Sequence, residues 1–165
     1  MNQITNNHLV ERARRLFGDS ACNLQVAALP WRTKEDRVEV MLITSRDTGR
    51  WVLPKGDIEK DEKRWRGAER EAVEEAGIRG AVSRREAGRY FYAKVQWIGR
   101  ALPCEVIVYP LEVSTVADNW KERDSRTRIW VSPGEAATMV DEEDLGEILR
   151  TFAENATSFR ADHAK

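Results

Sequence analysis

Gly56-Asp-Ile-Glu-Lys-Asp-Glu62-Lys-Arg-Trp-Arg-Gly-Ala-Glu-Arg70-Glu71-Ala-Val-Glu74-Glu75-Ala-Gly77 is the stretch on which the reading of this chain turns. Residues 57–61 are polar loop, and a helical period runs from about Glu62 to Ala76. Trp65, Ala68, Ala72 and Ala76 fall on one stripe that suits packing on a sheet, and Gly77 suits a helix C-cap. Glu71, Glu74 and Glu75 stand at i, i+3 and i+4, so a regular helix carries all three carboxylates on one face. Carboxylates that close repel one another, unless a divalent cation lies among them. Mg²⁺ and Mn²⁺ take hard oxygen donors and usually arrive with phosphate. Arg70 can hold a neighbouring carboxylate, Glu62 can hold Arg70, and the backbone carbonyl of Lys55 can add a further metal ligand. An acidic helix face is more often a solvated surface with ion pairs of roughly 0.2–0.5 kcal/mol each. The combination of Gly56, Glu62, Arg70, Glu71, Glu74, Glu75 and Gly77 arises by chance on the order of once in 10⁸ start points, which sets it apart from such a surface.

Working outward, strand patterns cover residues 22–32, 38–43, 51–53, 80–82, 88–95, 104–113 and 128–131. Asp47 and Gly49 supply a turn, and Pro54 stops the third strand. Ser132-Pro133 reads as an N-cap with proline at the first helical position, opening helices over about 133–139 and 142–154. The segment His8–Phe17 is basic and amphipathic, and is expected to be a short helix. The expected organisation is a helical extension over 1–20, a single domain over 21–155 and a frayed tail over 156–165. Mixed strands with one central helix and a terminal pair imply an α/β sandwich around a mixed β-sheet.

The 165 residues suffice for one domain with a proper core. With 27 basic and 28 acidic residues the net charge is −1, so the molecule as a whole is no trap for nucleic acid or membrane, and any anion site is local. No apolar run approaches the length of a membrane span. Cys22 and Cys104 lack metal spacing and read as reduced, buried thiols in a cytoplasmic protein. Trp51, Trp65 and Trp130 are expected in the core. Trp97 and Trp120 lie in loops, where either could stack on a nucleobase. His8 and His163 are terminal, and no serine or cysteine lies in a nucleophile motif.

The spacing Gly56-x5-Glu62-x7-Arg70-Glu71-Ala72-x-Glu74-Glu75-x-Gly77-Ile78 resembles the Nudix box, and the similarity extends over roughly residues 22–152. The resemblance implies a Nudix-type α/β/α sandwich, hydrolysis of a diphosphate linkage, and Mg²⁺ or Mn²⁺ held by Glu71, Glu74 and Glu75. The flanks Ala27–Arg32 and Thr44–Gly56, with Trp120 and Arg126–Trp130, are similar to the branch containing diphosphoinositol polyphosphate phosphohydrolases and diadenosine polyphosphate hydrolases. By that resemblance Arg32, Arg46, Arg50, Lys55, Arg126 and Arg128 are candidate substrate-binding cations. Lys94 and Arg100 are lesser candidates. The inositol enzymes carry basic residues where this chain has Asn23 and Gln25, which keeps dinucleoside polyphosphates in play beside inositol pyrophosphates.

The expected chemistry is attack by water on phosphorus, with the dication neutralising phosphate charge and a glutamate taking the proton. Glu74, Glu75 and Glu122 are the candidates for that base, with Arg70 beside them. The expected partner is a small-molecule polyphosphate, with no membrane and no stable nucleic-acid complex. The alternatives are hydrolysis of a nucleoside triphosphate or an RNA 5′ end, and a non-catalytic nucleotide-sensing module on the same fold.

Overall fold

A computed structural model describes residues 23–162 apart from 96–98 and 100. The amphipathic segment 8–17, Cys22, Trp97, Arg100 and both histidines lie outside the described residues. Eight strands form one mixed sheet: β1 (Asn23–Lys34), β2 (Arg37–Thr44), β3 (Trp51–Val52), β4 (Lys55–Asp57), β5 (Ile78–Val82), β6 (Gly88–Val95), β7 (Ala101–Val116) and β8 (Arg128–Val131). The α-helices among the described residues are α1 (Arg64–Glu71), α2 (Pro133–Met139) and α3 (Glu143–Asn155).

β1 organises the sheet. It runs parallel to β7 from Asn23 to Trp31 on one side. On the other it pairs antiparallel first with β4, over Gln25–Ala27, and then with β2, over Trp31–Lys34. Every residue from Gln25 to Trp31 is buried, as expected of a strand covered on both faces. Side-chain alternation divides its apolar residues between two cores. Val26 and Ala28 join Ala68, Ala72 and Ala76 beneath α1, while Ala27, Leu29 and Trp31 join Leu145, Leu149 and Phe152 beneath α2 and α3. The result is the three-layer α/β/α sandwich that the resemblance implies.

Three local expectations are corrected. Part of the presumed loop before the helix is strand: Lys55–Asp57 is β4, and regular helix starts at Arg64 rather than Glu62. The end of that helix, Ala72–Ala76, is a widened π turn. The described part of the expected tail, residues 156–162, is not frayed. It forms a 3-10 segment, Ala156–Asp162, whose Phe159 is buried against Phe152, itself edge-on to Trp31. Trp51, Trp65 and Trp130 are half-buried at the core margins, and the fully buried tryptophan is Trp31. Cys104 is a buried free thiol. Among the described residues no helix is long and apolar enough to cross a membrane.

The aromatic closure by Phe159 has a measurable consequence. Phe159→Ala is expected to lower the unfolding free energy by about 3 kcal/mol, the usual cost of emptying a buried aromatic site. Urea denaturation measures it. A loss under about 0.5 kcal/mol would mean that residues 156–162 do not belong to the core.

Candidate active site

The acidic face of α1 is presented to β4 through a change in helical pitch. Glu71 closes the regular helix and Glu75 lies within the π turn. A turn wider than 3.6 residues alters which neighbours align. Glu71 and Glu75 are turned inward, with side-chain exposures of 10% and 12%, while Glu74 stays at the rim with 34%. Both inward carboxylates meet the backbone of β4. Glu75 Oε2 accepts the N–H of Lys55 at 3.2 Å. The Glu71 carboxylate lies where a side chain on Gly56 would have to go, so only glycine lets it approach so closely. Ala28 donates to Pro54 O, so the next pair, Ala27 and Lys55, is one that exchanges no ladder bonds. The carbonyl of Lys55 therefore faces away from β1, as its N–H does.

Arg70 fixes Glu71 from the side. Its Nε and Nη2 grip Glu62 at 2.9 and 3.1 Å, Nη1 reaches Glu71 Oε1 at 2.7 Å, and Nη2 also donates to Asp57 O at 2.9 Å. The Arg70 fork holds Glu62 below the usual carboxylate range and is itself raised by Glu62. Burial pushes Glu71 up against the opposing pull of Arg70. Glu75 goes further: burial raises it to about 7, despite an ion pair to Arg126 Nη2 at 2.9 Å.

The second wall comes from the loop between β7 and β8. Gly77 adopts φ 63°, the left-handed C-cap the sequence suggests, and the Trp120 ring packs where a Cβ would sit. Trp120 Nε1 donates to Glu75 O at 3.0 Å, and its ring stacks on the Arg128 guanidinium at 3.7 Å. Arg128 in turn donates to the carbonyls of Ala76 and Ala117. These contacts bolt the loop to the end of the π turn, and so bring Glu122 and Arg126 beside Glu75. Arg126 lies between the two acids, its Nη2 at 3.2 Å from Glu122 Oε1, and its Nη1 donates to Thr44 O at 3.0 Å. Trp120, a loop residue considered for base stacking, is thus part of the scaffold.

A cleft of about 740 Å³ opens from Glu75, Lys55 and Gly56. Five cations line it (Arg46, Arg50, Lys55, Lys94 and Arg126) against three acids, Asp47, Asp57 and Glu75. Arg46 is 60% exposed and pairs with Glu122 at 3.2 Å. Arg50 is held by Glu142 at 2.6 Å. The Lys55 ammonium lies over the Tyr92 ring at 4.5 Å, and burial pulls its pKa down. Tyr92 is anchored by its hydroxyl on Gln25, and Gln25 and Asn23 both donate to Asp57. Two sequence candidates do not line this cleft. Arg32 pairs with Glu39 and stacks on Trp130, and Arg128 is engaged as described. Three contributors had no local signal. Tyr92 is 67 residues from its partner Gln25, Glu142 is 92 residues from Arg50, and the Thr44 carbonyl is 82 from Arg126.

The donor chemistry suits a hard dication. Glu71 and Glu75 carboxylates and the Lys55 carbonyl meet at the junction of β4 with the π turn, and burial disfavours their charge until a cation offsets it. Among the described residues, no three His, Cys, Asp or Glu side chains stand gathered at metal-binding separation. Arg70 and Arg126 stand between the carboxylates. Bringing Glu71, Glu74 and Glu75 onto one ion therefore requires these pairs to loosen.

Comparison with known proteins gives the family and the fold. The NUDIX domain profile matches residues 23–152. Nudix hydrolase 17, mitochondrial, of Arabidopsis thaliana is 31% identical over 140 residues, covering 81% of this chain and 75% of the relative. The chain spans 64% and 66% of the length of the plant Nudix hydrolases 21 and 13. Diphosphoinositol polyphosphate phosphohydrolase 3-beta of Bos taurus is 28% identical over 118 residues, covering 70% of this chain and 68% of the relative. Among solved structures, a C. elegans Ap4A hydrolase binary complex shares the fold, with TM-score 0.62 and 21% identity over 83% of this chain and 99% of that one. The chain belongs to the Nudix hydrolase family, whose class of activity is pyrophosphohydrolysis.

The raised Glu75 carboxyl sets a pH signature. Its folded pKa of about 7 exceeds the ordinary 4.5, so the folded state holds this proton more tightly than the unfolded state does. In chelated protein this group's contribution to stability therefore falls as pH rises from about 4.5 through about 7. The melting-temperature difference between wild type and Glu75→Gln is expected to move in the variant's favour across that window. Parallel melting curves from pH 4.5 to pH 8 would contradict the burial argument.

Proposed function

We propose that this protein hydrolyses a diphosphate linkage within a polyphosphate chain carried by an organic substituent, using water activated by a dication at Glu71 and Glu75. The observation that carries the reading is that buried Glu71 and half-buried Glu75 both turn inward onto the Lys55–Gly56 backbone, where Glu75 lines a cleft with five cations. The dication would neutralise phosphate oxygens and acidify a bound water. Glu71 and Glu75 would hold it, with Glu74 closing from the rim and the Lys55 carbonyl adding a backbone donor. Arg70 touches no substrate in this reading and acts by fixing Glu71. The general base would be one of Glu74, Glu75 and Glu122; Glu75 and Glu122 stand side by side across Arg126. Arg46, Arg50, Lys55 and Arg126 would bind phosphates, the arginines through their forks and the lysine as a point charge.

Between substrates, the neutral Asn23 and Gln25 weigh towards a dinucleoside polyphosphate. Both are committed to Asp57 and add no positive charge for the many phosphates of an inositol pyrophosphate. The relative from Bos taurus bears the inositol name, so an inositol pyrophosphate remains the second substrate to test. Residence in the cytoplasm is part of this proposal.

The deciding assay is product release from a panel of dinucleoside polyphosphates, inositol pyrophosphates, nucleoside triphosphates and 5′-triphosphorylated RNA. Activity is expected to vanish with EDTA and return with Mg²⁺ or Mn²⁺. Undiminished turnover in metal-free buffer would reject the mechanism. Glu75→Gln is expected to fold normally and to lower turnover by at least about a hundredfold; a near-normal rate removes Glu75 from the chemistry.

A further inference from the structure

Arg126 occupies an unusual place for a substrate-binding cation. Its side chain is 6% exposed, and a single nitrogen, Nη2, bridges two carboxylates from different elements: Glu75 at 2.9 Å and Glu122 at 3.2 Å. A second nitrogen, Nε, also donates to Glu122 at 3.3 Å, and the third, Nη1, donates to the Thr44 carbonyl. The guanidinium is therefore held from three sides. Its partners are fixed as well. Glu75 Oε2 is tied to the Lys55 N–H, and Glu122 sits on the loop that Trp120 and Arg128 fasten to the π turn.

Without a cation between them, the neighbouring carboxylates of Glu75 and Glu122 repel. Arg126 neutralises both at once. A dication approaching Glu75 meets this arginine as a like charge a few ångströms away, where screening is weaker than in bulk water. The two cations cannot both enjoy full contact with one carboxylate. Arg126 and Glu75 both line the cleft.

We infer that Arg126 is a resident counter-ion that competes with the dication for Glu75, and that metal loading turns it from Glu75 towards substrate phosphate. This inference rests on the proposal that Glu75 is a metal ligand. It predicts opposite effects of one substitution. Removing the arginine clears a competitor from the metal site and removes a donor from the phosphate site.

The test is Mn²⁺ titration of the full chain without substrate, read by the electron paramagnetic resonance signal of free Mn²⁺. Arg126→Met is expected to bind Mn²⁺ roughly fivefold or more tightly than wild type, the scale of one ion pair removed from competition. The same variant is expected to bind a non-hydrolysable polyphosphate analogue more weakly at Mn²⁺ concentrations that saturate both proteins, by about tenfold, as loss of a charged hydrogen-bonding fork implies. Arg46→Met is the control: Arg46 pairs with Glu122 but is 60% exposed, and its Mn²⁺ affinity should stay within about twofold of wild type. Should Arg126→Met not fold, Arg126→Lys carries the test, since it keeps the charge without the fork and is expected to shift Mn²⁺ affinity the same way by less. Unchanged or weaker Mn²⁺ binding in the folded variant overturns the inference, as does an equal gain in Arg46→Met. Absence of Mn²⁺ binding in wild type would instead defeat the metal-ligand reading beneath it.

Discussion

The contact between the widened end of α1 and the backbone of β4 governs the rest of the site. Glu75 accepts the Lys55 N–H, and the Glu71 carboxylate fills the space that Gly56 leaves open. Two negative groups are thereby pressed against a strand and partly removed from water. Such groups demand compensation, because desolvation penalises the charged form. The surrounding structure supplies it from outside the helix: Arg70 through the Glu62 relay, Arg126 from the far loop, and the amide of Lys55 itself.

The sheet makes that contact possible. β4 is only three residues long, yet it is registered on β1 next to the parallel β1–β7 pair, deep in the sheet. A backbone segment mounted there moves little, because a shift would break the ladder and disturb both cores that β1 separates. The loop carrying Glu122 and Arg126 has no such ladder. Its position depends on Trp120, which caps the π turn over Gly77 and stacks on Arg128. An aromatic side chain and two arginine-to-carbonyl bonds therefore do for this loop what strand pairing does for β4.

Arginine recurs at these junctions for a physical reason. Arg70, Arg126 and Arg128 each satisfy several acceptors from different segments at once, which a lysine ammonium on a flexible stem does less well. The division of labour among cations follows their neighbours. Arg128 is committed to backbone carbonyls and Arg32 to Glu39 and Trp130, while Arg46, Arg50, Lys55 and Arg126 face the cleft. Basic residues that look alike along the chain part company once their neighbours are known.

The sequence by itself determined the α/β sandwich, because mixed strands with one central helix and a terminal helix pair bury a sheet under helices, and the alanine stripe of the central helix suits that packing. It also determined the left-handed cap at Gly77 and the helix start at Ser132-Pro133, since both follow from local backbone sterics and capping. Tertiary structure alone decided the π turn, which replaced an even face of three glutamates with two inward and one at the rim. It alone decided β4, the closure by Phe159, and the convergence of Glu122, Arg126 and Glu142 on the site. Those features depend on contacts between residues tens of positions apart, and short-range periodicity carries no record of which distant group will satisfy a buried charge.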